Sequence, residues 1–263
     1  MKAPVRQFLS AVALVAGLST AGMSHAASVT IAPGSSPGGG YLPLSAFGIA
    51  ALTFGSSDGF VSFNTNSFNF GGQSWSTLQI GADGLVVLGD TAPSGSWSAA
   101  NISLPGGPNA AVLAPFWTDL DPTAGGGIRA GVLTDGVNSW VVVDWQDVPL
   151  ENGGGFSSFQ VWLGAGQDDV TFAYGDLANP ALLTIGAQDA TGTVGTNYVF
   201  NGSGVRPVNG TQLRVTSTGL PISTAVPEPG TWAMMIVGFG LVGSMVRSVR
   251  RGGLGGQPVA GQA

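Results

Sequence analysis

Apolar and polar positions alternate with a period of two over much of the chain, the spacing that sends successive side chains to opposite faces of a strand. The clearest case is 140–147, where Val141, Val143 and Trp145 share one face while Asp144 and Gln146 point the other way. Phe159, Val161 and Leu163 repeat the arrangement, as do Val170, Phe172 and Tyr174, and later Leu213 and Val215 with Arg214 turned outward. The run 111–117 is apolar throughout, which predicts a central strand covered on both faces.

Between these runs stand Asp58-Gly59, Asp83-Gly84, Asp135-Gly136 and Asn152-Gly153, dipeptides that reach positive φ cheaply and favour tight hairpins. Long stretches of good helix formers are missing. Roughly a dozen short strands joined in this way predict an all-β fold, an antiparallel β-sandwich or flattened barrel. No fixed-period repeat is evident, which argues against a solenoid or propeller.

The pattern changes at both ends. Lys2 and Arg6, the apolar run 8–18 and the small-residue site Ser24-His25-Ala26 read as a secretory signal peptide cleaved after Ala26. Residues 27–50 are small, Pro- and Gly-rich, and are expected to form a flexible lead-in to a domain over 51–218. After a linker at 219–225 comes VPEPGTWAMMIVGFGLVGSMVRSVRR, residues 226–251. Its prolines delay helix formation to about Thr231, and the apolar stretch predicts a transmembrane helix over 231–246. That stretch is short against the roughly 20 residues of a spanning helix, but arginine snorkelling extends its reach. Trp232 suits one membrane interface, and Arg247, Arg250 and Arg251 suit the cytoplasmic face. The preceding domain is therefore expected outside. A Gly-rich end, 252–263, closes the chain.

The order of Pro227, Glu228 and Pro229, then a short apolar helix, then terminal arginines resembles the PEP-CTERM sorting signal of Gram-negative bacteria. The resemblance implies recognition by a membrane-embedded exosortase that removes the helix. The protein would then be released or transferred to the cell surface or its exopolysaccharide matrix. Members of that family usually stop soon after the arginines, whereas here the extension 252–263 follows.

Composition narrows the chemistry. The sequence has no Cys, one His at 25 and one Lys at 2, so a chain cut after Ala26 retains none of the three. Histidine-dependent triads, Cys nucleophiles, lysine Schiff bases and ordinary zinc sites are then excluded for want of the side chain. Of the 14 acidic residues only Glu228 lies in the tail, and the domain opposes the others with Arg129, Arg206 and Arg214 alone. So acidic a surface repels phosphate backbones, and nucleic-acid binding is not expected.

Within the domain a second resemblance emerges from VLAPFWTDLD (112–121), VVVDWQDV (141–148), FQVWL (159–163), VTFAYG (170–175) and TIGA (184–187). These segments look like a nidogen-type extracellular domain, the NIDO module. A Trp-containing strand followed by Asp83-Gly84, within 70–89, resembles the segment that often precedes that module in bacterial surface proteins. The resemblance implies a β-rich module of matrix and adhesion proteins with no assigned activity.

Three sets of residues could carry chemistry. Asp119 and Asp121, two apart beyond the Phe116-Trp117 strand, present hard oxygen ligands near a Gly-rich loop and could help to bind Ca²⁺. The plainer reading is that Asp121 starts a turn and Asp119 caps the strand end. Asp144, Asp147 and Glu151 form a second acidic group from which a carboxylate-dependent glycoside hydrolase could be built, although acidic residues on strands more often form a solvated face. Among Trp75, Trp97, Trp117, Trp140, Trp145 and Trp162, the two on the face opposite the valines, Trp140 and Trp162, are the candidates for stacking on sugars. Core packing is the competing role for both.

The sequence thus reads as an exported, exosortase-processed surface or matrix protein. It is expected to be structural or adhesive and not an enzyme, with a carbohydrate-binding module and a hydrolase as the alternatives. Its expected partners are the exosortase, the membrane transiently through the C-terminal helix, and exopolysaccharide.

Overall fold

In the computed structural model, residues 27–91, 101–107 and 109–218 are described. The expected signal peptide, Trp97, linker and transmembrane tail lie outside them. Among the described residues no helix is long and apolar enough to cross a membrane.

Thirteen strands are present among these residues: β1 (Ser28–Pro33), β2 (Phe60–Phe70), β3 (Gln73–Gly81), β4 (Leu85–Leu88), β5 (Val112–Trp117), β6 (Gly127–Thr134) and β7 (Ser139–Pro149), then β8 (Phe156–Gly164), β9 (Val170–Tyr174), β10 (Thr184–Gln188), β11 (Gly195–Phe200), β12 (Ser203–Gly204) and β13 (Gln212–Thr218). They form two antiparallel sheets, one ordered β1-β13-β9-β8-β7-β6 and the other β12-β11-β10-β5-β4-β3-β2. The fold is the expected all-β sandwich.

The period-two faces meet between the sheets. Val141, Val143, Trp145, Phe159, Val161, Leu163, Val170, Phe172, Tyr174, Leu213 and Val215 from the first sheet pack with Leu78, Ile80, Val86, Leu113 and Ile185 from the second. β5 is buried along its whole length in the middle of its sheet, as its continuous apolar run requires. Trp145 stacks on Phe159 with ring centroids 5.0 Å apart, and its indole N–H donates to the Gly81 carbonyl at 3.1 Å. The Tyr174 hydroxyl donates across the sandwich to the Pro115 carbonyl at 2.8 Å. Both large rings therefore bury their area without stranding a polar atom.

The expected flexible lead-in is corrected by the structure. Its first part is β1, an edge strand registered against β13 from Ser28↔Thr218 to Pro33↔Leu213. The rest crosses the outer face of the first sheet as a strap that includes the short 3-10 turn Leu44–Phe47. Leu44 packs with Val142, Trp162 and Ala173 in a second apolar layer, joined by Leu42, Ile49, Leu133 and Trp140. Low complexity does not keep the strap loose, because side chains of the sheet beneath supply what its backbone needs.

Those side chains lie on one row of registered positions, Arg129↔Asp144, Asp144↔Gln160, Gln160↔Ala173 and Ala173↔Gln212. Arg129 Nε donates to the Ile49 carbonyl at 3.1 Å, and the Asp144 carboxylate accepts the Leu44 N–H at 2.8 Å. Gln160 accepts the Leu42 N–H at 3.1 Å and donates to its carbonyl, while Gln212 accepts the Ser36 N–H at 2.6 Å. The strap is thus hydrogen-bonded at intervals across five strands, which satisfies backbone groups that burial would otherwise leave unpaired.

Candidate functional site

Two of the Asp-Gly turns, Asp58-Gly59 and Asp83-Gly84, converge with the segment that follows β5 at one end of the sandwich. Gly84 has φ +80°, and a Cβ there would lie 2.2 Å from the Phe116 carbonyl, so only glycine permits this approach of the β3–β4 hairpin to β5. The approach buries the neighbouring Asp83, which accepts the Leu120 N–H at 3.1 Å. Burial pushes the Asp83 carboxyl up to about 8, against the pull of that hydrogen bond, and the nearby charges of Asp58, Asp119 and Glu151 push the same way.

Asp58, Asp119 and Glu151 themselves each offer an oxygen within 4.8 Å of the others. Asp119 Oδ2 accepts from Asn152 Nδ2 at 3.2 Å, whereas its Oδ1 is buried without a donor. Burial and then the neighbouring Glu151 carboxyl hold Asp119 above the usual carboxylate range. A cleft of about 320 Å³ beside it is lined by Thr118, Asp119, Asn152, Asn179 and Leu182, among others. The set can share a proton or meet a hard cation, though three carboxylates alone fall short of the roughly 6–8 oxygens calcium takes.

Asp121 does not join this set. Its Oδ1 accepts the Thr123 N–H at 2.8 Å, the Thr123 hydroxyl at 2.5 Å and the Ala124 N–H at 3.2 Å, which close a turn and hold its carboxyl below the usual range. The expected Asp119–Asp121 pair is therefore replaced by Asp119 with Asp58 and Glu151. Alternation along an extended chain does not carry past Asp119, because the strand has already ended at Trp117. Asp58 escapes a reading of the sequence because it stands in a turn dipeptide far from the others.

The second acidic group separates too. Asp144 is 0% exposed beneath the strap, not on a solvated face. Burial pushes its carboxyl up to about 6, opposed by the Leu44 N–H and by the neighbouring Tyr41, Gln160 and Arg129 side chains. Asp147 sits at φ 52° in the bulge between Trp145 and Val148, and accepts the Ser158 hydroxyl at 2.9 Å. Glu151 belongs to the other end group. These three carboxylates do not form one site.

The paired-tryptophan expectation also changes. Trp140 and Trp162 do face outward together, 6.4 Å apart edge to face. Trp162, however, is only 2% exposed, its indole N–H held by Gln160 Oε1 at 3.1 Å and its ring covered at Gly38. Trp140 opens onto a cleft of about 180 Å³ with Pro37, Leu42 and Phe47. The strap has taken the face that a sugar would need.

A roomier cleft lies where β3 leaves its hairpin with β2. It measures about 490 Å³ and is lined by Ser74, Trp75, Ser76, Thr77, Asp90 and Asn109, among others. The Trp75 indole N–H donates to the Phe70 carbonyl at 3.1 Å, which fixes the ring. Nothing in the alternation around Trp75 distinguishes it from the core tryptophans.

Comparison with known proteins agrees with this architecture. Residues 225–251 match the PEP-CTERM protein-sorting motif, which marks the chain as an exported protein anchored in the membrane and processed by an exosortase on its way to the cell surface. No curated protein and no solved structure matches the chain. Residues 56–227, well over half of the chain, match the NIDO-related family, so the sandwich and its acidic end are those of a member of that family.

Proposed function

We propose that the protein is a structural or adhesive component of the cell surface or exopolysaccharide matrix, retained there by non-covalent contacts and performing no catalysis. The observation that carries this reading is the sorting motif directly following a single β-sandwich domain. Pro227, Glu228 and Pro229 serve recognition by the exosortase. The stretch from Trp232 holds the precursor in the membrane until it is cut, and Arg247, Arg250 and Arg251 set its orientation.

Fractionation of cells that produce either the intact chain or a Glu228→Ala variant tests this. The intact chain is expected in the surface or matrix fraction, shortened at its C-terminus by mass spectrometry, and the variant is expected to accumulate uncut in the inner membrane. Recovery of the intact chain uncut in the inner membrane would overturn the reading. Product release from matrix polysaccharide that disappears in a Glu151→Gln variant would replace it with hydrolysis.

A further inference from the structure

We propose that the cleft beside Trp75 is a saccharide-binding subsite that takes a neutral sugar unit of the matrix polysaccharide. The proposal rests on the reading of the chain as a matrix component and gives that component a point of attachment.

The cleft combines the two surfaces that a sugar ring presents. A pyranose has flat faces of C–H groups and a rim of hydroxyls, so a site for it needs a fixed aromatic face beside small hydrogen-bonding groups. Trp75 supplies the face. It is half-buried, and its N–H is anchored on Phe70. On the neighbouring strand end, Gly89 has φ +113°, and a Cβ there would lie 3.3 Å from the indole Cζ3, so the absence of a side chain keeps the ring clear. Exposed Ser74, Ser76, Thr91 and Asn109 supply hydroxyls and an amide around it. The volume of about 490 Å³ falls within the range of roughly 300–1,000 Å³ usual for small-molecule sites.

Charge selects among sugars. The described lining residues include the carboxylate of Asp90 and no cation, on a domain where acidic residues far outnumber arginines. Uronates and phosphorylated sugars are repelled there, which leaves neutral hexoses and their N-acetyl derivatives. The outward pair Trp140 and Trp162 lacks this combination, since Trp162 is closed off and the cleft at Trp140 is about 180 Å³.

The test uses the exported protein and a panel of soluble β-glucan, α-mannan, galactan and the producing organism's own polysaccharide, with alginate as the anionic probe. Binding is read by tryptophan fluorescence and by retardation in affinity gels. Binding to at least one neutral glycan is expected, weakened roughly tenfold or more by Trp75→Ala, with alginate not bound. Because Trp75 also packs on the core, a second variant, Ser76→Arg, crowds the cleft from an exposed position and is expected to weaken binding with the fold intact by circular dichroism. Failure to bind any neutral glycan, or binding unchanged in Ser76→Arg, overturns the subsite. These results are independent of the tail: a protein that reaches the matrix but binds no glycan sinks the subsite alone, whereas one left uncut in the inner membrane sinks the matrix reading alone.

Discussion

The Asp144 carboxylate accepts the backbone N–H of Leu44 at 2.8 Å, joining residues a hundred positions apart. The bond fixes the strap on the outer face of the first sheet, and Asp144 is wholly buried in making it. Truncation in Asp144→Ala leaves the Leu44 N–H buried without an acceptor, a loss of about 1–3 kcal/mol. Hydrogen exchange should locate the loss, with amides of 42–49 exchanging faster while those of β5 stay protected. Uniform acceleration across both sheets would show that the strap is not a separate unit.

Stability should fall as pH rises from about 4 to about 8 through two buried carboxyls. Asp83 is pushed up to about 8 and Asp144 to about 6, each from an ordinary 3.8. The unfolded chain releases these protons first, so the contribution is complete below pH 4 and is lost progressively as pH climbs through the folded-state values. Asp121 and Asp135 are shifted down, and theirs is lost only on acidification below about 4. Urea midpoints measured across this range should show the decline, and Asp83→Asn with Asp144→Asn should flatten it. An unchanged slope in the double variant would count against the burial argument.

Gly84→Ala should be among the most damaging single-methyl additions in the domain. It places a Cβ against the Phe116 carbonyl at φ +80°, and strain of this kind costs about 1–3 kcal/mol before the clash is relieved. By contrast Gly136→Ala, at φ +90° with nothing near its Cβ, bears the conformational cost alone. Thermal denaturation of the two variants separates close approach from backbone preference.

Glu151→Gln should stabilise the domain near neutral pH. Glu151 crowds Asp58 and Asp119 with like charge, and its exposure limits the gain to about 0.2–1 kcal/mol. The gain should shrink on addition of salt, which screens the repulsion. A destabilised variant would mean that Glu151 makes a favourable contact there.

Trp145→Ala should cost about 3–5 kcal/mol, since the ring stacks on Phe159 and bonds Gly81. Trp140→Ala, on the partly exposed outer layer, should cost less.

The reading of the chain succeeded where the physics is local. Alternation at 141–145, 159–163 and 170–174 placed the core faces, and a continuous apolar run placed β5 in the middle of its sheet. It went astray wherever a residue's surroundings come from distant segments. Residues 34–50 look like a linker because glycine and proline weaken local order, yet side chains of Arg129, Asp144, Gln160 and Gln212 hold them down. Polar residues on an outer face read as solvated until something covers that face.

Chain order by itself determined the strands, their inward faces and the sorting tail, because strand alternation and the sequence of proline, apolar run and arginine are properties of consecutive residues. Tertiary structure decided which carboxylates stand together, which tryptophan stays open, and that Asp144 is buried. Those depend on segments brought side by side by strand pairing, and burial, unlike alternation, belongs to the neighbours a residue acquires on folding.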